Sequence, residues 1–243
     1  MNQRQAVAYI GAYLWRRERF GMLFTFLFAV YLGAINSTAV DGILDGDKQM
    51  PTALHGFLDF LNLTMYPIFG LVMNKSSWGM WRDDYYSKRL AQWRTMPVPV
   101  SAIVWARMLQ SGVMMPIVAG IYLLLQYAIS PQLRGYATPV QWLENGLIWL
   151  AYATIIVVLL IGFELGFTGK QYFLMYLGIM ALAGVIVTVL TWQGINIFKT
   201  VLDLTRNGYG WALLLTLSCV AVFAVGLGHR LTVDKIRARS LPL

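Results

Sequence analysis

The sequence predicts an all-α polytopic membrane protein with six transmembrane helices, both termini cytoplasmic, and amphipathic helices lying at the membrane surface. Three observations carry this. Of the 243 residues, 58% are hydrophobic and 12% charged, whereas soluble domains carry about 25% charged residues. Six apolar runs are long enough, or nearly so, to supply the roughly 20 residues that cross a bilayer: residues 20–39, 54–73, 102–129, 146–167, 172–192 and 211–227. With both ends on one side, 15 of the 19 Lys and Arg residues fall on that side, and only Lys48, Arg134, Lys199 and Arg206 on the other. Cytoplasmic loops carry the excess of Lys and Arg, so both termini are expected inside, in a plasma membrane of bacterial type.

The whole chain, 1–243, reads as one transmembrane domain. Residues 1–19 form a weakly amphipathic segment, with Val7, Ile10 and Leu14 on one face and the basic cluster Trp15-Arg16-Arg17-Glu18-Arg19 at its end. A cleaved leader has a shorter charged start and a small-residue cleavage site; here an interfacial helix leading into a retained anchor is expected. Pro67 and Pro116 fall inside the second and third spans, where proline frees a backbone carbonyl. The outer loop 40–53 carries Asp41, Asp45 and Asp47 with Gly42 and Gly46, a spacing that does not match a calcium loop. Residues 193–210 place Ile195, Phe198, Val201 or Leu202, and Thr205 on one helical face, with Lys199, Asp203 and Arg206 opposite. They are expected to form a short helix on or dipping into the outer leaflet.

Residues 75–101 are the longest polar interruption. They hold Lys75, Arg82, Lys88, Arg89 and Arg94, the acids Asp83 and Asp84, and the interleaved aromatics Trp78, Trp81, Tyr85, Tyr86 and Trp93. Aromatic rings beside Lys and Arg suit a membrane–water boundary. Pro97 and Pro99 end this helix, and Ser101 is placed to cap the next. A cytoplasmic amphipathic helix between two spans follows, accessible to a soluble partner.

The sequence offers little catalytic chemistry. His55 and His229 lack a second ligand at helical spacing, so no metal site is expected. There is no GxSxG turn. Residues 166–171, Gly-Phe-Thr-Gly-Lys-Gln, fail as a phosphate loop because the glycines are too close and Gln171 stands where Ser or Thr would hold magnesium. No cofactor is expected in this chain. Cys219 reads as a small packing residue. The formal net charge of +8 is accounted for by lipid phosphates, without nucleic acid. Asp59 and Glu164 lie within predicted spans, where a charge costs about 2.5–3.5 kcal/mol on insertion scales. Asp59 is expected near the outer, wetted end of its span, and Glu164 near the inner end, beside Lys170 or Arg107. Each is a candidate for a polar role inside the membrane. Gly162 with Gly166, and Ala224 with Gly228, have the four-residue spacing that lets helices approach closely.

The order of elements is an N-terminal amphipathic helix, two spans, a basic cytoplasmic helix, then four spans with an outer amphipathic segment before the last. Within it stands Lys88-Arg89-Leu90, then Arg94-Thr95-Met96-Pro97-Val98-Pro99-Val100-Ser101, then Arg107. This arrangement resembles the membrane subunit of type-2 ABC exporters, in which a basic helix ends in a Leu-Pro-Val-Ser-like turn before the third span. Met96 replaces the commoner leucine, and Pro99 interrupts the run. The resemblance implies a permease subunit for drug, peptide-antibiotic or lipid-like cargo. It implies pairing with a second membrane subunit, identical or not, and energy from a separate soluble ATPase that binds ATP and magnesium. It also implies a coupling helix within residues 78–95, with Arg82, Asp83, Asp84, Tyr85, Tyr86, Arg89 and Trp93 as contact candidates. The competing expectations are an intramembrane enzyme, disfavoured by the missing paired acids and nucleophile, and a membrane immunity or scaffold protein that only binds a peptide.

Overall fold

The computed structural model describes residues 2–45, 52–73 and 84–239, with side chains in the second segment from Gly56 onward. Asp47, Lys48, His55, Lys75, Trp78, Trp81, Arg82 and Asp83 lie outside these residues or, for His55, have no described side chain. Nine helices and no strand are found among the described residues: α1 (Gln3–Asp45), α2 (Thr52–Phe69), α3 (Tyr85–Arg94), α4 (Val100–Ile129), α5 (Pro131–Tyr136), α6 (Pro139–Gly166), α7 (Gly169–Trp192), α8 (Ile197–Arg206) and α9 (Gly210–Ala238). Five of them, α1, α4, α6, α7 and α9, are long and apolar enough to cross a membrane. Helix α2 has 18 residues with Pro67 two positions before its last turn ends and is not one of the five.

The N-terminal segment and first span are one continuous helix of 43 residues. At 1.5 Å per residue it runs about 65 Å, twice the roughly 30 Å hydrocarbon thickness. It therefore extends well beyond any bilayer it crosses, and takes in Asp41 and Asp45 of the expected outer loop.

Local chemistry fixes the helix starts. Thr138 and Thr168 each accept a bond from the backbone N–H three residues on, while Gln141 and Gln171 reach back to the cap backbone. Both are capping boxes, which satisfy two orphan donors at once. The stretch that failed as a phosphate loop is thus the start of α7. Ser130 caps α5 through Leu133 N, and Asp41 accepts from both Ser130 Oγ and Gln132 N. Ser101 does not cap α4: that helix begins at Val100 with Pro99 in the cap position, because proline's fixed φ already suits the boundary. Ser101 instead bonds Gln3 and the His229 ring nitrogen at 3.1 Å each.

In the packing, α1 lies along α4 and α6 along α9, while α2 touches α1, α4, α6 and α7. Half of the most apolar stretch of α6 is buried, against 6% for α7 and 11% for α9, so α6 is the central post and α7 and α9 are peripheral. Gly228 sits where a Cβ would lie 2.2 Å from Val158 Cγ1, and Gly162 faces Thr232. The small-residue spacings in spans four and six therefore belong to one crossing, that of α6 with α9. Gln3 and Arg239 both reach the α3 end of the bundle, through Ser101 and through the bond from Arg94 Nη1 to Arg239 O. The two ends of the described chain thus share a side. Asp41, α5 and α8 mark the other.

Candidate functional site

Four charged side chains from four helices meet inside the α3 end of the bundle. Glu18 comes from α1, Arg89 from α3, Arg107 from α4 and Glu164 from α6, and none is more than 5% exposed. Arg89 donates through Nη1 to Glu18 Oε1 at 3.2 Å and through Nη2 to Glu164 Oε1. Arg107 donates through Nε and Nη2 to Glu164 Oε2 at 3.1 and 3.0 Å. Its Nη1 donates to Gln110 Oε1 at 2.7 Å, and Gln110 Nε2 donates to Glu18 Oε2 at 2.7 Å. Four ion pairs join these side chains.

The chemistry accounts for its form. Two guanidinium and two carboxylate groups sum to no net charge. Two guanidinium N–H groups converging on one carboxylate oxygen, with a second guanidinium on the other oxygen, recover in charge-assisted bonds part of what burial costs. Arg89 is further boxed by aromatic rings, with its guanidinium carbon 4.8 Å from the Trp93 ring centre, 5.4 Å from Tyr86 and 5.7 Å from Tyr85. Tyr86 in turn meets Tyr172 of α7 edge-on at 5.1 Å. The result is a keyed short helix. Its inner face is locked by charge to α1 and α6 directly and to α4 through Glu164, and to α7 by rings.

A second set of contacts closes over α3 from outside. Asp84 stands just before it with φ +42°, a left-handed conformation that Asp tolerates better than most residues. Its carboxylate accepts from Gly169 N at 2.7 Å, at the start of α7. Burial acts to raise the Asp84 pKa, but the bonds from Gly169 and Ser87 and the nearby Arg239 charge outweigh it and hold the carboxyl below its usual range. Arg239 donates to Ser87 Oγ and to Leu165 O. The basic C-terminal segment is therefore bonded into the protein at Arg239 rather than left wholly to lipid.

The candidate residues from the sequence divide as follows. Tyr86, Arg89 and Trp93 are buried, Asp84 and Tyr85 are partly covered, and Arg82 and Asp83 lie outside the described residues. The exposed positions of α3 are Lys88, Gln92 and Arg94. Glu164 pairs with Arg107, as one of the two expected partners, and also with Arg89. Asp59 is not wetted: it is fully buried, and its two oxygens accept from Ile197 N and Phe198 N at 2.7 and 2.8 Å. It caps α8 from across the fold. Helix α8 correspondingly turns Phe198, Leu202 and Thr205 into protein, with Phe198 edge-on to Trp142, rather than into the outer leaflet. Glu18 and Gln110 were missed. A signal for Glu18 existed, since it continues the Ile10, Leu14 stripe at i+4.

Nearer the other end lies an uncharged polar layer. Asn36 Nδ2 donates to Tyr122 Oη at 2.8 Å, and Tyr122 donates on to Asn62 Oδ1 at 3.4 Å. Tyr66 stacks on Trp149 and meets Tyr122 edge-on. Among the described residues no group of His, Cys, Asp and Glu could hold a metal ion. His229 stacks on Trp105 at 4.7 Å instead. Comparison of the chain with known protein families, characterised proteins and solved structures finds no match.

Proposed function

We propose that this chain is the membrane-spanning permease subunit of an ATP-driven exporter in a cell membrane. In this reading it crosses six times, with α2 as the sixth span and both termini cytoplasmic. A separate soluble subunit binds ATP and magnesium, and a second membrane subunit completes the transporter. The observation that supports it is the keying of α3. A short helix that receives work from a partner must pass it to the spans, and a flexible loop would dissipate it. Arg89 joins α3 to α1 and α6 directly and, through Glu164, to Arg107 of α4. Displacing α3 must therefore displace three spans or break a buried charge network. The excess of Lys and Arg at this end supports a cytoplasmic side for it, where an ATPase would be. The resemblance in element order and in the 88–107 run adds to the reading.

The experiment is in-cell photocrosslinking from Lys88, replaced by a benzophenone amino acid. The expected result is a cross-link to a soluble protein with a P-loop, whose ATP turnover rises when it is reconstituted with this chain. Cross-links to lipid alone, from a correctly inserted protein, would overturn the proposal.

A further inference from the structure

Helices α6 and α9, both long and apolar enough to cross a membrane, leave a groove between them on the outer surface of the bundle, about 480 Å³ in volume. Its walls are apolar, among them Ile156, Phe163 and Phe167 of α6 and Leu227 and Leu231 of α9, and Lys235 closes one end. The groove runs from Ile155 to Phe167 along α6, about 18 Å at 1.5 Å per residue. One leaflet of hydrocarbon is about half of 30 Å, so the groove has the depth of a single leaflet. The cation lies at its α3 end, the end rich in Lys and Arg. Lys235 Nζ sits 4.8 Å over the Phe167 ring, and no carboxylate among the described residues pairs with it.

We infer that this groove is a binding site for an anionic phospholipid of that leaflet, with one acyl chain between α6 and α9 and the phosphate at Lys235. The length fixes a membrane lipid as occupant, because a chain of leaflet depth with its headgroup at the interface fills the groove end to end. The charge selects the headgroup. An ammonium near the membrane surface is worth about 1 kcal/mol toward an anionic headgroup, which is about a fivefold preference. The Phe167 ring holds the ammonium at the groove mouth, since a cation prefers the face of an aromatic ring. The inference does not depend on the exporter reading, because it concerns a static surface site.

The test uses the full chain in phosphatidylcholine liposomes containing a trace of lipid with a diazirine in its acyl chain, either phosphatidylglycerol or phosphatidylcholine. After illumination, adducts are mapped by mass spectrometry. The expected result is adducts concentrated on 155–163 and 224–231, about fivefold more from the glycerol lipid. Lys235→Gln brings the ratio near one while the adducts stay on the same residues, and Lys235→Arg keeps the preference. Lys235 is exposed, so both variants keep the fold, which a melting curve checks. A ratio near one in the wild type, or glycerol-lipid adducts spread equally over the exposed face of α7, would mean annular lipid only and overturn the inference.

Discussion

Arg89 and Glu164 stand 75 positions apart and meet in a buried charge-assisted contact that fixes α3 to the end of α6. Each also has a second opposite charge, Glu18 for Arg89 and Arg107 for Glu164. Removing one member of a buried pair leaves its partner charged and unpaired, at about 3–5 kcal/mol. Glu164→Gln leaves two buried guanidinium groups with Glu18 as the one carboxylate they share, so a marked fall in melting temperature of the purified protein is expected. The double variant Glu164→Gln/Arg107→Gln should fall by less than the sum of the two single changes, since contacting residues are not additive. Equal melting of Glu164→Gln and wild type would show that the quartet does not hold the fold.

Asp59 tests the other end. Its carboxylate serves two backbone donors, the part-buried Ile197 N and the buried Phe198 N. Loss of a cap costs about 0.5–2 kcal/mol. Asp59→Ala should therefore destabilise the protein and speed hydrogen exchange in α8, while Asp59→Asn, which keeps one acceptor oxygen, should do so less. Equal exchange in α8 for wild type and Asp59→Ala would refute the capping role.

Asp84 gives a pH dependence. Its folded pKa lies below the ordinary carboxylate value, about 3.9 for Asp. A depressed folded pKa contributes stability that is fully present above the unfolded value and lost as pH falls through the folded one. Wild type should melt higher than Asp84→Asn at pH 6, and the gap should close below about pH 4. A gap that stays constant from pH 6 to pH 3 would remove the ionised carboxylate from the account.

How far these contacts were legible depends on their range. The long helices α4, α6, α7 and α9 follow from apolar run length alone. The short helix α8 follows from the amphipathic spacing of 193–210, whereas α5 needed its Ser130 cap. Thr138 to Gln141 and Thr168 to Gln171 are local signals of four residues each, visible in the sequence but passed over. Asp59 could be seen to be anomalous, but its partner lies 138 residues away at Ile197, and no periodicity points there. Glu18 shows the competition between two patterns: the basic cluster Arg16-Arg17-Glu18-Arg19 reads as a solvated face, yet the Ile10, Leu14, Glu18 spacing puts this one acid on the buried stripe. Arg89 was legible as a candidate and not in its direction. An amphipathic helix flanked by aromatics has two plausible inner faces, and the acids that choose between them come from α1 and α6.

That choice of face yields the most discriminating prediction. On α3 the buried residues Tyr86, Arg89, Leu90 and Trp93 form the inner side, and Lys88 and Gln92, spaced i and i+4, share the outer side with Thr95 just beyond. Truncating Arg89 or Trp93 should unlock the helix, with a fall in melting temperature and, on the proposed exporter reading, a loss of transport, and so says nothing about docking. Surface substitutions away from packed groups change stability within about 0.5 kcal/mol. Lys88→Glu with Gln92→Glu should therefore leave the melting temperature unchanged. At an interface, reversing a charge lowers the association rate and changes its salt dependence, and losing one anchor costs about 2 kcal/mol, about thirtyfold in affinity. The double variant should thus insert and melt like wild type and, on the exporter reading proposed above, bind the soluble ATPase of that proposal more weakly and uncouple ATP turnover from export. If it binds the ATPase and exports like wild type, the outer face of α3 is not where the energy enters.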